Sequence, residues 1–172
     1  MSALRTCTAD LSDAHGDRLL PCSLPWRAFG GASSFTGPIA TVRCQDDNGL
    51  LRPLLSTPGN GRVLVVDGQG SVATALVGDG LAGLALANGW RALVVHGAVR
   101  DVAGLRVLPI GVLALGTNPR RGAGDGLGEL DVAVTFGGIT FRPGCIVHAD
   151  EDGLLVDTGP VPADETAPNG QQ

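Results

Sequence analysis

The 172-residue sequence has the length of one domain and is long enough to bury most of its apolar surface. Hydrophobic residues make up 44% and charged residues 17% of the chain, a composition that excludes an intrinsically disordered protein. The formal net charge of −5 argues against direct binding of nucleic acid through a basic face. No apolar stretch approaches the roughly 20 residues that span a bilayer, and the N-terminal segment lacks the layout of a signal peptide. We therefore expect a cytoplasmic protein without membrane contact.

The strongest local pattern is a strand–helix–strand unit in the middle of the chain. Residues 63–66 and 92–95 are apolar runs without alternation, which is typical of strands covered on both faces. Between them, leucines at helical spacing predict a helix over 79–88, with Asp79 as its cap. A crossover of this kind pairs its two strands in parallel, so the sequence predicts an α/β fold.

The remaining elements are short. The sequence predicts helices over 8–20 and 48–55, strands over 39–44 and 110–114, a strand or extended segment over 71–77, and hairpins over 132–141 and 145–156. Residues 102–109 are predicted to be a linker. Residues 117–129, rich in glycine and arginine, are predicted to form a loop that is either mobile or ordered by a ligand or a neighbouring subunit.

The cysteines and histidines give weaker indications. Cys7, Cys22, Cys44 and Cys145 have no CxxC spacing, so we predict free, mostly buried thiols and no zinc site. His96 follows a predicted strand, where it would serve either as a general base or ligand, or as a hydrogen-bonded structural residue. The glycine turn at 67–70 lacks the residues of a nucleotide-binding loop.

The candidate site centres on Arg100 and Asp101, which follow the strand predicted over 92–95. In open α/β sheets, ligands collect at the carboxyl ends of the strands. An arginine there can hold a substrate carboxylate in a bidentate fork, and an aspartate can hold a hard divalent cation. The competing interpretation is an ion pair in an ordinary surface turn.

Seven segments of the sequence together carry a resemblance to a known family: 29–31, 47–51, 63–70, 75–79, 96–101, 126–131 and 136–141. Through them the chain resembles the RraA-like family, named for regulator of ribonuclease activity A, which includes the class II 4-hydroxy-4-methyl-2-oxoglutarate aldolases. Actinobacterial relatives are often labelled demethylmenaquinone methyltransferases, but nothing in this sequence resembles a methyl-donor site. The resemblance implies a β/β/α swivelling-domain sandwich with a largely parallel central sheet, as a single domain over 1–157. Residues 158–172, rich in proline, alanine and polar residues without periodicity, are predicted to be a disordered tail.

The resemblance also implies roles for individual residues. The aldolase signature is a glycine, twenty to twenty-two residues, Arg-Asp, two residues, and Asp or Glu. Here Gly78 is followed after twenty-one residues by Arg100-Asp101, but Gly104 stands where the acid belongs. By resemblance, Arg100 would bind the α-keto acid and Asp101 would bind Mg²⁺ or Mn²⁺. The backbone of Gly78, Asp79, Gly80 and Leu81 would donate hydrogen bonds to the substrate, and Asp79 would orient a water.

Two functions follow from the resemblance. The first is a metal-dependent aldolase or oxaloacetate decarboxylase that forms pyruvate through an enolate whose charge the metal would stabilise. The missing acid at Gly104 predicts a weak activity. The alternative is a protein without catalytic activity that binds RNase E and regulates it. In both cases the resemblance implies a homotrimer or a pair of trimers.

Overall fold

The computed structural model describes residues 7–159, and these contain four α-helices and twelve β-strands. The predicted tail over 158–172 falls almost entirely outside the described residues. The helices are α1 (Thr8–His15), α2 (Leu51–Leu55), α3 (Asp79–Ala87) and α4 (Val102–Val107). The strands are β1 (Leu19–Pro21), β2 (Arg27–Ala28), β3 (Phe35–Arg43), β4 (Val63–Asp67), β5 (Ala75–Val77), β6 (Ala92–Val99), β7 (Gly111–Thr117), β8 (Glu129–Leu130), β9 (Val134–Phe136), β10 (Ile139–Phe141), β11 (Ile146–Asp150) and β12 (Gly153–Asp157).

One mixed sheet of ten strands organises the fold. Its main path runs β1-β12-β11-β3-β4-β6-β7-β2, with β5 beside β6 and β8 beside β3. The strands β4 and β6 are parallel neighbours, as the strand–helix–strand pattern predicted, and the crossover from β5 through α3 to β6 is parallel as well. The expectation of a largely parallel central sheet is not confirmed. Among the described strands, four pairs are parallel and six are antiparallel, because the C-terminal hairpin and the short edge strands add antiparallel neighbours.

The sheet separates two apolar cores. On β4, Leu64 and Val66 face the helices α2, α3 and α4, whereas Val63 and Val65 face the C-terminal hairpins. All four side chains are fully buried, each contributing roughly 1.5–3 kcal/mol of apolar transfer free energy. One face of the sheet is therefore layered with helices and the other with strands, which agrees with the β/β/α order that the resemblance implied.

Several element boundaries differ from the predictions. The helix predicted over 8–20 ends at His15, because Gly16–Arg18 form a 3₁₀ turn and β1 pairs with β12. The helix predicted over 48–55 begins only at Leu51, and the segment predicted over 71–77 is a strand only in β5. The linker predicted over 102–109 is wrong, since it contains the helix α4. The hairpin of β9 and β10 is confirmed, with Gly137 and Gly138 in its turn at φ 60° and 82°.

The strand β6 is longer than the apolar run that predicted it. It continues through His96 and Gly97 to Val99, with an irregularity in its pairing with β7 between Val95 and Ala98. His96 therefore lies within the strand, and Arg100 follows its true end.

The cysteines and the lengths of the helices bear on two predictions made from the sequence. Cys7, Cys22, Cys44 and Cys145 are free, and Cys22 and Cys44 are buried. Burial raises the pKa of the Cys44 thiol to about 12. Between residues 7 and 159, no helix is long and apolar enough to cross a membrane.

Candidate active site

The candidate site is a cleft of about 310 Å³ at the ends of β5 and β6. Gly78 lies between β5 and α3, and Arg100 and Asp101 lie between β6 and α4. The backbone N–H of Arg100 donates to the carbonyl of Val77 over 2.9 Å, which joins the two connections. Residues that are separated by some twenty positions therefore meet because β5 and β6 are neighbouring parallel strands.

The contact between Gly78 and Asp101 is close. A Cβ atom on residue 78 would lie 2.5 Å from Oδ2 of Asp101 and 3.4 Å from Cγ of Arg100. Gly78 has φ −128° and ψ −173°, a conformation open to any residue, so space and not backbone freedom requires glycine here. The glycine of the sequence signature thus makes room for the carboxylate of the same signature.

Arg100 and Asp101 present their charged groups to solvent within the cleft. Nε of Arg100 lies 3.7 Å from Oδ2 of Asp101, and the side chains are 36% and 45% exposed. Asp101 has φ 59° and ψ 43°, in the left-handed region that L-residues seldom adopt. This backbone turn places its side chain against Gly78 and away from the start of α4, which it does not cap.

The N-terminus of α3 forms another wall of the cleft. Asp79, Gly80 and Leu81 line it, and the first N–H groups of a helix have no partner within the helix. With the helix dipole, these donors favour an anion. The expectation that Asp79 caps the helix is wrong: Gly78 is the N-cap residue, without a side-chain cap, and Asp79 is the first helical residue.

Gly104 lies directly against the side chain of Asp79. A Cβ atom at position 104 would overlap the carboxylate of Asp79, and would lie 2.8 Å from its Cβ. The acidic residue that the family signature expects at 104 would therefore compete with Asp79 for the same space. In this chain, the carboxylate at that corner of the cleft is Asp79.

Two further arginines, Arg52 and Arg121, line the cleft and were not predicted as site residues. Arg52 comes from α2 and Arg121 from the glycine- and arginine-rich loop. Neither forms an ion pair within residues 7–159, whereas Arg100 has Asp101. Their side chains are distant in sequence from Arg100, so only the composition of the loop hinted at a role for Arg121.

The donor set of the cleft fits a divalent cation of the magnesium type. Between residues 7 and 159, no group of three or more His, Cys, Asp or Glu side chains is arranged to hold a metal ion. Mg²⁺ commonly uses one or two carboxylates and completes its shell with waters and substrate oxygens. Asp101, with Asp79 in the same cleft, supplies carboxylates for such an open site.

His96 is not among the residues that line this cleft. Its Nδ1 lies 3.1 Å from Oδ1 of Asp67, and its ring stacks on Phe136 with 4.2 Å between centroids. Burial alone would raise the pKa of Asp67, but the hydrogen bond from His96 lowers it, and the positive charge of Arg43, 3.7 Å away, lowers it further. The geometry favours the structural interpretation of His96 over the general base or ligand.

Comparison with known proteins identifies the family. The RraA-like family profile (Aldolase/RraA) matches residues 8–156. A structure from Geobacillus kaustophilus, described as an S-adenosylmethionine:2-dimethylmenaquinone methyltransferase, is 46% identical with a TM-score of 0.86, over 88% of this chain and 94% of that one. The RNA-processing inhibitor RraA from Thermus thermophilus is 44% identical with a TM-score of 0.84, over 96% and 99%.

A third structure, from Streptomyces coelicolor, is described as an unusual member of the RNase ES inhibitor RraA protein family. It is 31% identical with a TM-score of 0.70, over 86% of this chain and 77% of that one. The family profile spans nearly all of the described residues. The chain belongs to the RraA-like family.

Proposed function

We propose that the protein is a divalent-metal-dependent lyase that cleaves 4-hydroxy-4-methyl-2-oxoglutarate or decarboxylates oxaloacetate to give pyruvate. The observation that carries the proposal is the meeting of Arg100, Asp101 and Gly78 in one open cleft at the N-terminus of α3. This cleft combines a guanidinium, a carboxylate and free backbone donors, which together suit a small anionic substrate and a hard cation.

The charge of the cleft favours a substrate with two carboxylates. Three arginines and two aspartates line it, a net positive wall in a chain whose formal net charge is −5. A monocarboxylate would leave Arg52 or Arg121 without an anionic partner. Both proposed substrates are dicarboxylic α-keto acids, so one carboxylate can pair with Arg100 and the other can face Arg121 or Arg52.

The chemistry of the two substrates is the same after the bond breaks. Cleavage of the C3–C4 bond releases pyruvate from the hydroxy acid, or carbon dioxide from oxaloacetate, and leaves the electron pair on the remaining three-carbon fragment as an enolate. A bound Mg²⁺ or Mn²⁺ would supply positive charge to the keto and carboxylate oxygens. Arg100 and the first N–H groups of α3 would stabilise the developing negative charge, since they are fixed before the reaction begins.

The remaining residues have positioning and proton-handling roles. Asp101 would hold the cation, and Asp79 would orient the water that exchanges protons with the hydroxyl group and the enolate carbon. An imine mechanism through an ε-amino group is not open to this chain, because its 172 residues include no lysine. A homotrimer or a pair of trimers, as the resemblance implies, stays a prediction.

Pyruvate release tests the proposal. Purified protein with Mg²⁺ is mixed with each substrate, and pyruvate is followed with lactate dehydrogenase and NADH against buffer with the same metal. We expect Arg100→Ala and Asp101→Asn each to lower kcat/KM by at least about 100-fold. The matched control is Arg106→Ala, because Arg106 is an exposed arginine of α4 that does not line the cleft. No pyruvate above the metal background, with Arg100→Ala unchanged, would reject the enzyme.

The alternative is the regulation of an RNase E-type ribonuclease, which the similarity to the Thermus and Streptomyces RraA proteins favours. Such a role needs an exposed protein surface and no bound metal. A pull-down with the scaffold region of RNase E, followed by RNA cleavage with and without this protein, separates the two functions. Inhibition that survives Asp101→Asn in a protein without lyase activity would establish the regulator in place of the enzyme.

A further inference from the structure

Asp47 is a buried carboxylate without a cationic partner in the described part of the chain. It is 3% exposed and forms no ion pair there. Four backbone N–H groups donate to it instead. Oδ1 accepts from Gly49 over 2.8 Å and from Gly126 over 3.1 Å, and Oδ2 accepts from Asp125 over 3.1 Å and from Leu127 over 3.3 Å. A buried carboxylate is costly unless it is satisfied in this way, so the donors and the carboxylate depend on each other.

Three of those four donors belong to one segment, residues 118–127, which we call the Arg121 loop. Before Arg121, the carbonyl of Arg120 accepts from the backbone of Ala75 over 2.7 Å. After it, the N–H of Gly122 donates to the carbonyl of Ala75 over 3.0 Å, and Ala123 exchanges backbone hydrogen bonds with Asp46 and Asn48. Ala75 of β5 therefore holds the backbone on both sides of Arg121, and the attachment to the segment around Asp47 begins one residue after Gly122, at Ala123.

The Arg121 loop packs tightly against the segment that contains Asp47. A Cβ atom on Gly49 would overlap the backbone of Gly126, lying 2.7 Å from its Cα. The segment around Asp47 and the Arg121 loop are thus in direct backbone contact. Asn48 and Gly49, the two residues after Asp47, line the cleft together with Arg121.

We propose that Asp47 is a positioning residue. Its carboxylate holds the Arg121 loop in place, so that Arg121 faces the cleft and binds the second carboxylate of the substrate. The inference rests on the proposed function for the identity of that substrate. Two assignments are added to the proposed function: Arg121 determines the substrate specificity, and Asp47, which does not line the cleft, positions Arg121.

The first test is structural and does not depend on activity. Asp47→Asn keeps the size of the side chain but turns one acceptor oxygen into a donor that faces backbone N–H groups. Amide hydrogen exchange of the full chain should then become at least 10-fold faster in residues 122–127, with the central strands unchanged. The matched control is Asp125→Asn, which removes the same charge from an exposed side chain in the same loop and keeps its backbone N–H. Unchanged exchange in Asp47→Asn would overturn the proposal.

The second test measures selectivity with two probes, 2-oxoglutarate and pyruvate, each titrated in Mg²⁺ by calorimetry or NMR. The wild type should bind the dicarboxylate more tightly. Arg121→Ala should weaken 2-oxoglutarate about 10-fold and leave pyruvate within 2-fold, the loss of one charge-assisted contact. Asp47→Asn should do the same, and the double variant should lose no more than either single one.

The outcomes separate this proposal from the proposed function. A wild type without preference for 2-oxoglutarate, or an Asp47→Asn protein that keeps the preference while Arg121→Ala loses it, would overturn the positioning role. Preference without any pyruvate formation would reject the lyase and leave the positioning role standing. If Asp47→Asn does not fold, Gly49→Ala serves as the second variant, because its Cβ atom would displace Gly126 without a change of charge. It should show the same selective loss of affinity for 2-oxoglutarate.

Discussion

The substitution Gly78→Ala isolates the contact on which the candidate site depends. The new Cβ atom would lie 2.5 Å from Oδ2 of Asp101, about 0.9 Å short of an ordinary van der Waals contact. The backbone of Gly78 suits alanine, so the substitution adds no torsional strain. Asp101 is 45% exposed and starts α4 from a left-handed turn, so its side chain can withdraw toward solvent. The strain is therefore relieved by moving the carboxylate, by roughly 1 Å.

A displacement of that size has a known consequence for catalysis. Misplacing a reacting group by about 1 Å lowers rates by about 100-fold, which corresponds to about 2.7 kcal/mol of transition-state stabilisation. The cost to folding should be smaller, roughly 1 kcal/mol, since alanine is a poorer N-cap residue than glycine. We expect kcat/KM for pyruvate formation to fall about 100-fold in a protein whose urea midpoint changes little.

The matched control is Gly83→Ala in the same helix. A Cβ atom on Gly83 meets no atom within 4 Å, and Gly83 does not line the cleft. This variant should keep its activity and gain about 0.5–1 kcal/mol of stability, because alanine is the better helix former. Full activity in Gly78→Ala would contradict this prediction, since it would mean that the position of Asp101 does not matter.

Three other predictions concern the fold around the site. Burial alone would raise the pKa of Asp47, but backbone hydrogen bonds lower it, so the stabilising contribution of this carboxylate is complete above its ordinary pKa of 3.8 and is lost as the pH falls below that value. In urea unfolding from pH 6 to pH 3, the free energy of unfolding should therefore fall less steeply in Asp47→Asn than in the wild type. Parallel curves would contradict this. His96→Ala removes the stack on Phe136 and a hydrogen bond to buried Asp67, so it should lower the free energy of unfolding by about 2–4 kcal/mol in a denaturant titration. A decrease of less than about 0.5 kcal/mol would contradict this prediction. Burial raises the pKa of Cys22 to about 11 and of Cys44 to about 12, so a thiol reagent at pH 8 should modify these two only after unfolding, and fast labelling of either in the native protein would count against the packing.

The sequence predicted those parts of the fold whose signals are local. The strands over 63–66 and 92–95 and the helix between them follow from apolar runs, and the turn at Gly137-Gly138 follows from glycine chemistry. It missed α4 because Gly104 interrupts the pattern and Asp101 provides no side-chain cap. It ended β6 too early because His96 and Gly97 break the apolar run, although backbone pairing continues past them.

The candidate site shows the same division. Gly78, Arg100 and Asp101 could be chosen because their spacing follows a family signature, and β5 beside β6 brings them together. Arg52 and Arg121 could not be chosen, since contacts between distant segments bring them to the cleft. Three of the four donors to Asp47 lie some eighty residues away, so no local pattern marks it as the residue that holds the Arg121 loop.

A crystal structure of the protein with Mn²⁺ and pyruvate would show whether Arg100, Asp101 and the N-terminus of α3 form one site for a metal ion and its substrate. We expect an anomalous manganese peak beside the carboxylate of Asp101, with pyruvate between the N-terminus of α3 and the guanidinium of Arg100. A peak elsewhere, or an empty cleft at saturating concentrations of both, would contradict it.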